Sequence, residues 1–493
     1  MAAHSEVLPS GGETPVWEAG AVSLRELSDA IHAGRIGPLE LTRQFLERID
    51  RLNGTLKAYS CVTRERALAE ADAAEAAIRC GDSRGPLHGI PYAVKEHFDV
   101  RGVPTMVGTP LLADNIAAED SMAVRKLGEA GMVLLGKTHS VQLGCGTTGI
   151  NQQLGTPHNP WHQIPHVPGG SSSGSAVAVA AGLAPVALGG DAGGSVRVPA
   201  ALCGTVGFKP TVGRISRAGV YPTSTTLDTV GVLSRFVEDA ALVYDALQGP
   251  DPEDEATAGA APQAVTGLLP GGIEGLCLAF PTNVLFKDAD PEVEAAVREA
   301  GRVLAGLGAR VIEIAIPELD EVQGLADRFA ISAVETYAQN EWLFRKHAAE
   351  LDPVLSWMTA AREIRATDYF RVLQLHHRLR RRVLETLEGV DAVLAPATLI
   401  PALPVQTVAP DAGVYVERYQ DDFSERYVRN AAMGNFLGLC GLSLPCGFSS
   451  AGLPIGLHIY GKPQQESLVL RIATAYEQAS AWSGRHPDLA WVR

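Results

Sequence analysis

This sequence has no CxxC pair, no HExxH segment, no apolar run long enough to cross a bilayer, and fewer basic than acidic residues. Its seven cysteines are scattered and odd in number, which predicts free thiols in a reducing compartment, the cytoplasm, rather than a disulfide framework. The 13 histidines show no metal-ligand spacing, so neither a metal nor another cofactor is expected. Met1 to Gly20 carries Glu6, Glu13 and Glu18 and no apolar core, which predicts a loose tail over 1–20 rather than a signal peptide. The most apolar stretch, Ala176 to Gly190, is interrupted by Gly182 and Pro185 and is too short for a span, so no membrane partner is expected. Basic residues number 41 and acidic ones 56, a net charge of −15. Such a surface repels phosphate backbones, so no nucleic-acid partner is expected. The cluster Arg378, Arg380, Arg381 and Arg382 reads as one solvated helical turn.

Apolar periodicity then predicts an α/β chain. Ser23 caps an amphipathic helix containing Leu24, Leu27 and Ile31, and further helices are predicted over Glu40–Leu52 and Arg64–Ile78. Strand patterns (Ile90–Val94, Met132–Leu135, Val186–Leu188, Cys277–Phe280, Val311–Ile316, Asp391–Pro396) alternate with helical ones (Ser121–Ala130, Val237–Leu247, Pro291–Leu307, Leu468–Ala479). The segment 318–390 reads as a helical insertion rich in aromatics: Phe329, Tyr337, Trp342, Phe344, Trp357, Tyr369 and Phe370. The Gly/Pro/Ala stretch 249–272 reads as a surface loop rather than a linker, and no internal repeat divides the chain. The expectation is one domain over 21–493.

Glycine and serine concentrate in two loops, Gly169-Gly170-Ser171-Ser172-Ser173-Gly174-Ser175 and Gly190-Asp191-Ala192-Gly193-Gly194-Ser195-Val196-Arg197-Val198-Pro199. Such density means close backbone approach or positive φ, and hydroxyls beside unobstructed N–H groups are what acyl transfer needs. The loops point to a serine-dependent hydrolase. Three other motifs fail their context tests. Gly131–Thr138 fits the P-loop pattern, but its bulky apolar residues make a strand. Gly144-Cys145-Gly146-Thr147-Thr148-Gly149 fits the dinucleotide fingerprint, but no helix follows. Gly170–Gly174 fits the nucleophile elbow with Ser172, and Asp228 and His458 could complete a Ser-His-Asp triad, yet His166-Val167-Pro168 is a poor preceding strand.

The two Gly/Ser loops, with Asp191 and the trailing Ser195-Val196-Arg197-Val198-Pro199, resemble the amidase signature family. The resemblance extends through Gly89-Ile90-Pro91-Tyr92-Ala93-Val94-Lys95-Glu96, Gly155–Pro160, Gly207-Phe208-Lys209-Pro210-Thr211, Leu227-Asp228 with Gly231, Leu444–Gly447 and Gly452–Leu457. It implies a single α/β domain with a large, mixed, twisted sheet flanked by helices. It also implies a Ser–cis-Ser–Lys triad: Ser195 as nucleophile, Ser171 in a cis peptide as proton shuttle, and Lys95 as base. The departures leave the triad intact: Val196 for Ile, Val232 where Pro is common, and Ser173 and Ser175 where Gly is common. The last two are expected to alter the loop near the leaving group.

The residues by themselves agree with this. A lysine base must be neutral, and bringing its pKa from ~10.4 toward neutrality costs on the order of 4 kcal/mol. Lys95 ends an apolar strand and would lose solvation, and the positive end of a helix starting near Ser171 would act the same way. The N–H groups of Ala192, Gly193, Gly194 and Ser195 are the candidate oxyanion donors, while Asp191 and Arg197 are expected to hold that turn. The expected substrate is a small amide, anilide or carbamate, hydrolysed by a stand-alone chain, with a homodimer as the expected assembly. Alternatives within the family are a carbamate or urethane hydrolase and the glutamine-hydrolysing component of the tRNA-dependent amidotransferase. From other classes, a Ser-His-Asp hydrolase and a non-catalytic binding module remain.

Overall fold

The computed structural model describes residues 22–325, 329–409 and 422–492, so the predicted tail 1–20 lies outside the described residues. Ser23 opens the first helix, Leu24–His32, through a capping box: its hydroxyl accepts from the Glu26 N–H, and Glu26 Oε2 accepts from the Ser23 N–H at 2.8 Å. Helices Pro38–Leu56 and Arg64–Arg79 follow, close to where apolar periodicity puts them.

Eleven strands form one mixed sheet. In chain order they are β1 (Tyr59–Val62), β2 (Pro91–Lys95), β3 (Val133–Thr138), β4 (Val186–Gly190), β5 (Val206–Lys209) and β6 (Val230–Ser234), then β7 (Cys277–Pro281), β8 (Arg310–Ile314), β9 (Ala392–Pro396), β10 (Cys440–Phe448) and β11 (Pro454–Gly461). Their spatial order is β1-β3-β2-β4-β6-β5-β10-β11-β9-β7-β8. β3, β2 and β4 run parallel, as do β9, β7 and β8, and the strands between these groups pair antiparallel. The residues that fit a P-loop are the wholly buried β3 and its lead-in, as their apolar bulk predicts.

Five strands, β1, β5, β6, β10 and β11, fall outside the predicted strand patterns. β5 and β6 contain Gly207 and Gly231, where an added Cβ would lie 2.5 Å from Ala200 Cβ and 2.6 Å from the Phe208 carbonyl oxygen, respectively. Glycine there lets a helix and a neighbouring strand approach closely, at the expense of the strand signal. β10 contains Pro445, with a register shift between Pro445 and Gly447 that bulges it against β11.

The parallel trio positions the site. β2 ends at Lys95 and β4 at Gly190, side by side through the Ala93–Ala187 and Val94–Leu188 pairs. The loops after both strands therefore leave from the same, carboxyl edge, where ligands bind in sheets of this kind. The helix Ser173–Ala180, joined to β4, is buried throughout and contacts β2, β3, β4 and β6, with Ser171 and Ser172 at its start. Its close seating requires Gly174, whose added Cβ would lie 2.3 Å from the Ala58 carbonyl oxygen and 2.4 Å from the His139 nitrogen. Gly174→Ala is expected to lower stability by about 1–3 kcal/mol, read from chemical denaturation, because two rigid backbones would have to part.

The stretch predicted as a helical insertion contains helices Pro317–Gln323, Ala330–Lys346 and Ala366–Thr386, with 3₁₀ turns over Pro353–Glu363. Residues 249–272 form turns and short 3₁₀ segments, Glu255–Thr257 and Thr266–Gly271. No described helix is long and apolar enough to cross a membrane.

Candidate active site

Lys95 and Ser171 are 76 residues apart in sequence, yet Lys95 Nζ donates to Ser171 Oγ at 2.6 Å in a fully buried position. The Gly170–Ser171 peptide bond is cis. The second Gly/Ser loop is tied directly to the first, because the Ser172 N–H donates to the Ser195 carbonyl at 3.1 Å. Lys95, Ser171 and Ser195 all line one cavity, whose open volume including its mouth is about 810 Å³. No hydrogen bond joins the Ser171 and Ser195 hydroxyls.

Burial lowers the Lys95 pKa to about 8, against the opposing pull of Asp228. Asp228 lines the same cavity, and its Oδ2 accepts from the Thr223 and Ser224 N–H groups, each at 2.9 Å. Burial outweighs those bonds and raises its carboxyl pKa to about 7.

Asp191 and Arg197 are entirely buried and paired, with Arg197 Nη2 2.9 Å from Asp191 Oδ1 and Nε 3.0 Å from Oδ2. Asp191 also accepts from the N–H groups of Gly194 (2.8 Å) and Val196 (3.1 Å) and from Asn435 Nδ2 (3.0 Å), and the paired guanidinium holds its pKa far below the usual carboxylate range. The turn is thus closed from inside by one carboxylate. This corrects one sequence expectation: the Gly194 N–H points into that carboxylate and is not free to meet an oxyanion. The N–H groups of Ala192, Gly193 and Ser195 make no hydrogen bond among the described residues; Ala192 and Ser195 border this cavity, and all three border an adjoining second lobe.

The nucleophile-elbow residues are not brought together. Ser172 Oγ is buried and donates to the Gly190 carbonyl at 3.3 Å. His458 Nε2 lies 3.2 Å from Arg197 Nη1, and Asp228 faces Lys95 instead. Ser173 and Ser175 do not reach the leaving-group region as expected. Both are buried in the helix, where Ser175 Oγ meets Thr138 Oγ1 at 2.6 Å and the Leu188 carbonyl at 3.0 Å.

A second lobe of about 700 Å³ shares Ala192, Ser195, Gly144 and Thr223 with the first. Its remaining walls are mostly apolar, including Leu227, Val322, Phe329, Met358, Met433 and Phe436. Of the seven aromatics of the helical stretch, only Phe329 lines it among the described residues. Tyr337 and Phe344 stack on each other at 5.2 Å, Trp342 and Phe370 are exposed, and the Trp357 side chain lies outside the described residues. The helical stretch instead holds the Tyr221–Asp228 loop. Glu335 accepts from Ser224 Oγ, Thr226 Oγ1 and Tyr369 Oη, Asn340 accepts from Tyr221 Oη, and Thr336 Oγ1 donates to the Thr223 carbonyl. The loop Gly144–Thr147, which fails as a dinucleotide fingerprint, walls the apolar lobe. Its glycines are the only sequence signal of that role.

Residues 40–470 match the Amidase family. The chain belongs to the amidase signature family and is a carbon–nitrogen hydrolase. It is 36% identical over 487 residues to the A-type subunit of a glutamyl-tRNA(Gln) amidotransferase from Geobacter metallireducens, covering 94% of this chain and 98% of that one. It is also 36% identical over 477 residues to an amidase of Pseudomonas putida, covering 95% and 98%. Among solved structures, a 6-aminohexanoate cyclic dimer hydrolase superposes with a TM-score of 0.88 at 27% identity, over 97% of this chain and all of that one. The shared family accounts for the single domain and the large mixed sheet.

Proposed function

We propose that this amidase-signature enzyme hydrolyses its substrate through an acyl-enzyme on Ser195. The observation that carries the reading is the buried 2.6 Å contact between Lys95 and Ser171, on the same cavity as Ser195. Lys95 in its neutral form accepts the Ser171 hydroxyl proton as Ser171 takes the proton of Ser195 Oγ. Ser195 Oγ then bonds to the carbonyl carbon, and the N–H groups of Ala192, Gly193 and Ser195 receive the oxyanion. On collapse the C–N bond breaks, Ser171 passes a proton to the departing nitrogen, and Lys95 returns one to Ser171. Water repeats the sequence on the ester and releases the acid. Asp191 and Arg197 keep the turn in shape without touching substrate.

The apolar lobe supports a stand-alone enzyme for amides, anilides or carbamates with an apolar or aryl group, in preference to free glutamine. Arg429 is the one charged side chain among its described lining residues, and Glu425 and the Lys287 carbonyl already engage it. The amidotransferase reading draws on the Geobacter relative. Assay of the isolated chain separates the two: turnover of aryl amides or carbamates with little glutaminase activity is expected. Glutaminase activity appearing only with a partner protein, and no aryl amide or carbamate turnover, would favour the amidotransferase.

A further inference from the structure

We infer that His97 is a specificity-determining residue, whose Nε2 accepts a hydrogen bond from an N–H of the leaving amine. The favoured substrates are therefore primary and N-monosubstituted amides or carbamates rather than esters of the same acyl group. This rests on the acyl-enzyme reading above.

His97 follows β2 two residues after Lys95, is 2% exposed, and lines the lobe that contains Lys95 and Ser171. Its Nε2 has no hydrogen-bond partner among the described residues, which is costly for a buried polar atom unless a ligand satisfies it. Its Nδ1 lies 3.4 Å from Ser140 Oγ. That hydroxyl has a single proton and two nearer acceptors, Glu96 Oε1 at 3.0 Å and the Val141 carbonyl at 3.1 Å. Toward His97 it therefore accepts, so the ring proton sits on Nδ1 and Nε2 offers a bare lone pair. Burial, together with the nearby Lys95 and Lys137 cations, holds the imidazole pKa well below its usual value, so the lone pair persists at neutral pH.

Two further features direct that lone pair toward the leaving group. Gly144 leaves it uncovered, since a Cβ there would lie 2.9 Å from His97 Nε2 and 2.4 Å from Thr223 Oγ1. The polar and apolar lobes divide at Ser195, and Ser171, the residue that protonates the departing nitrogen, lines only the polar one. The nitrogen thus leaves on the His97 side while the apolar group occupies the other. An amide N–H can donate to Nε2 there, whereas an ester oxygen has no hydrogen to offer.

The test compares kcat/KM for benzamide and methyl benzoate in the full-length wild type, His97→Leu and His97→Gln. For His97→Leu the amide value is expected to fall about tenfold, the worth of one lost hydrogen bond to a buried acceptor, with the ester value within twofold of wild type. His97→Gln, which returns an acceptor oxygen near the Nε2 position, should recover most of the amide value. Should His97→Leu fail to fold, His97→Asn, which stops short of that position, carries the same expectation. Equal losses on both substrates, or no loss on the amide, would overturn the role of His97 and leave the acyl-enzyme standing. A wild type that hydrolyses neither compound would instead overturn the substrate assignment on which the inference rests.

Discussion

Ser195→Ala is expected to abolish acylation and lower kcat by at least about 10⁴-fold, with the fold unchanged. In the proposed mechanism Ser195 supplies the only protein oxygen that becomes bonded to the acyl carbon, so no neighbouring group can replace it. Its hydroxyl makes no hydrogen bond within the described fold, so the unfolding midpoint should stay close to wild type. A fluorophosphonate should add to the wild type at Ser195, located by peptide mass spectrometry, and should leave Ser195→Ala unlabelled. Labelling at Ser172 would instead support the nucleophile elbow, against the buried position of that hydroxyl and its bond to the Gly190 carbonyl.

The second large effect is at Lys95, where removal of the amine in Lys95→Ala should cost about 10²–10⁴-fold in kcat/KM, the usual worth of a positioned base. The wild-type pH profile should carry its signature. Burial lowers the Lys95 pKa to about 8, and only the unprotonated amine can accept the Ser171 proton. The rate should therefore rise about tenfold per pH unit below that value and level off above it. Asp228 opposes the downward shift, because a carboxylate close to the amine favours the ammonium form. Asp228→Asn should accordingly move the rising limb to lower pH, an effect that simple loss of structure would not produce. A flat profile, or activity that depends on a histidine pKa, would contradict the lysine base.

Much of the fold is legible because several helices and strands carry their own periodicity. Val237–Leu247 forms a helix within the limits that its pattern predicts. Two of the strands without such a signal, β5 and β6, carry glycine where a neighbour packs closely on them, at Gly207 and Gly231. The stretch after residue 317 is helical, as its pattern predicts, and of its seven aromatics only Phe329 lines the cleft among the described residues. Aromatics at helical spacing report burial or exposure only after the helix has a partner, and Tyr337 and Phe344 use theirs on each other.

The sequence by itself determined the chemical groups: two Gly/Ser loops with their serines, a lysine at the end of an apolar strand, and an acid–base pair flanking the second loop. These are local properties, since residue type and spacing set backbone freedom and available atoms. Tertiary structure alone decided how the groups are used. It set the burial that makes the Lys95 ammonium costly, brought Lys95 to Ser171, and turned the Gly194 N–H inward to Asp191. It also gathered Gly144–Thr147, the Tyr221–Asp228 loop and His97 around one cleft. Desolvation, hydrogen-bond direction and cavity shape depend on which distant segments pack together, and no local pattern encodes that.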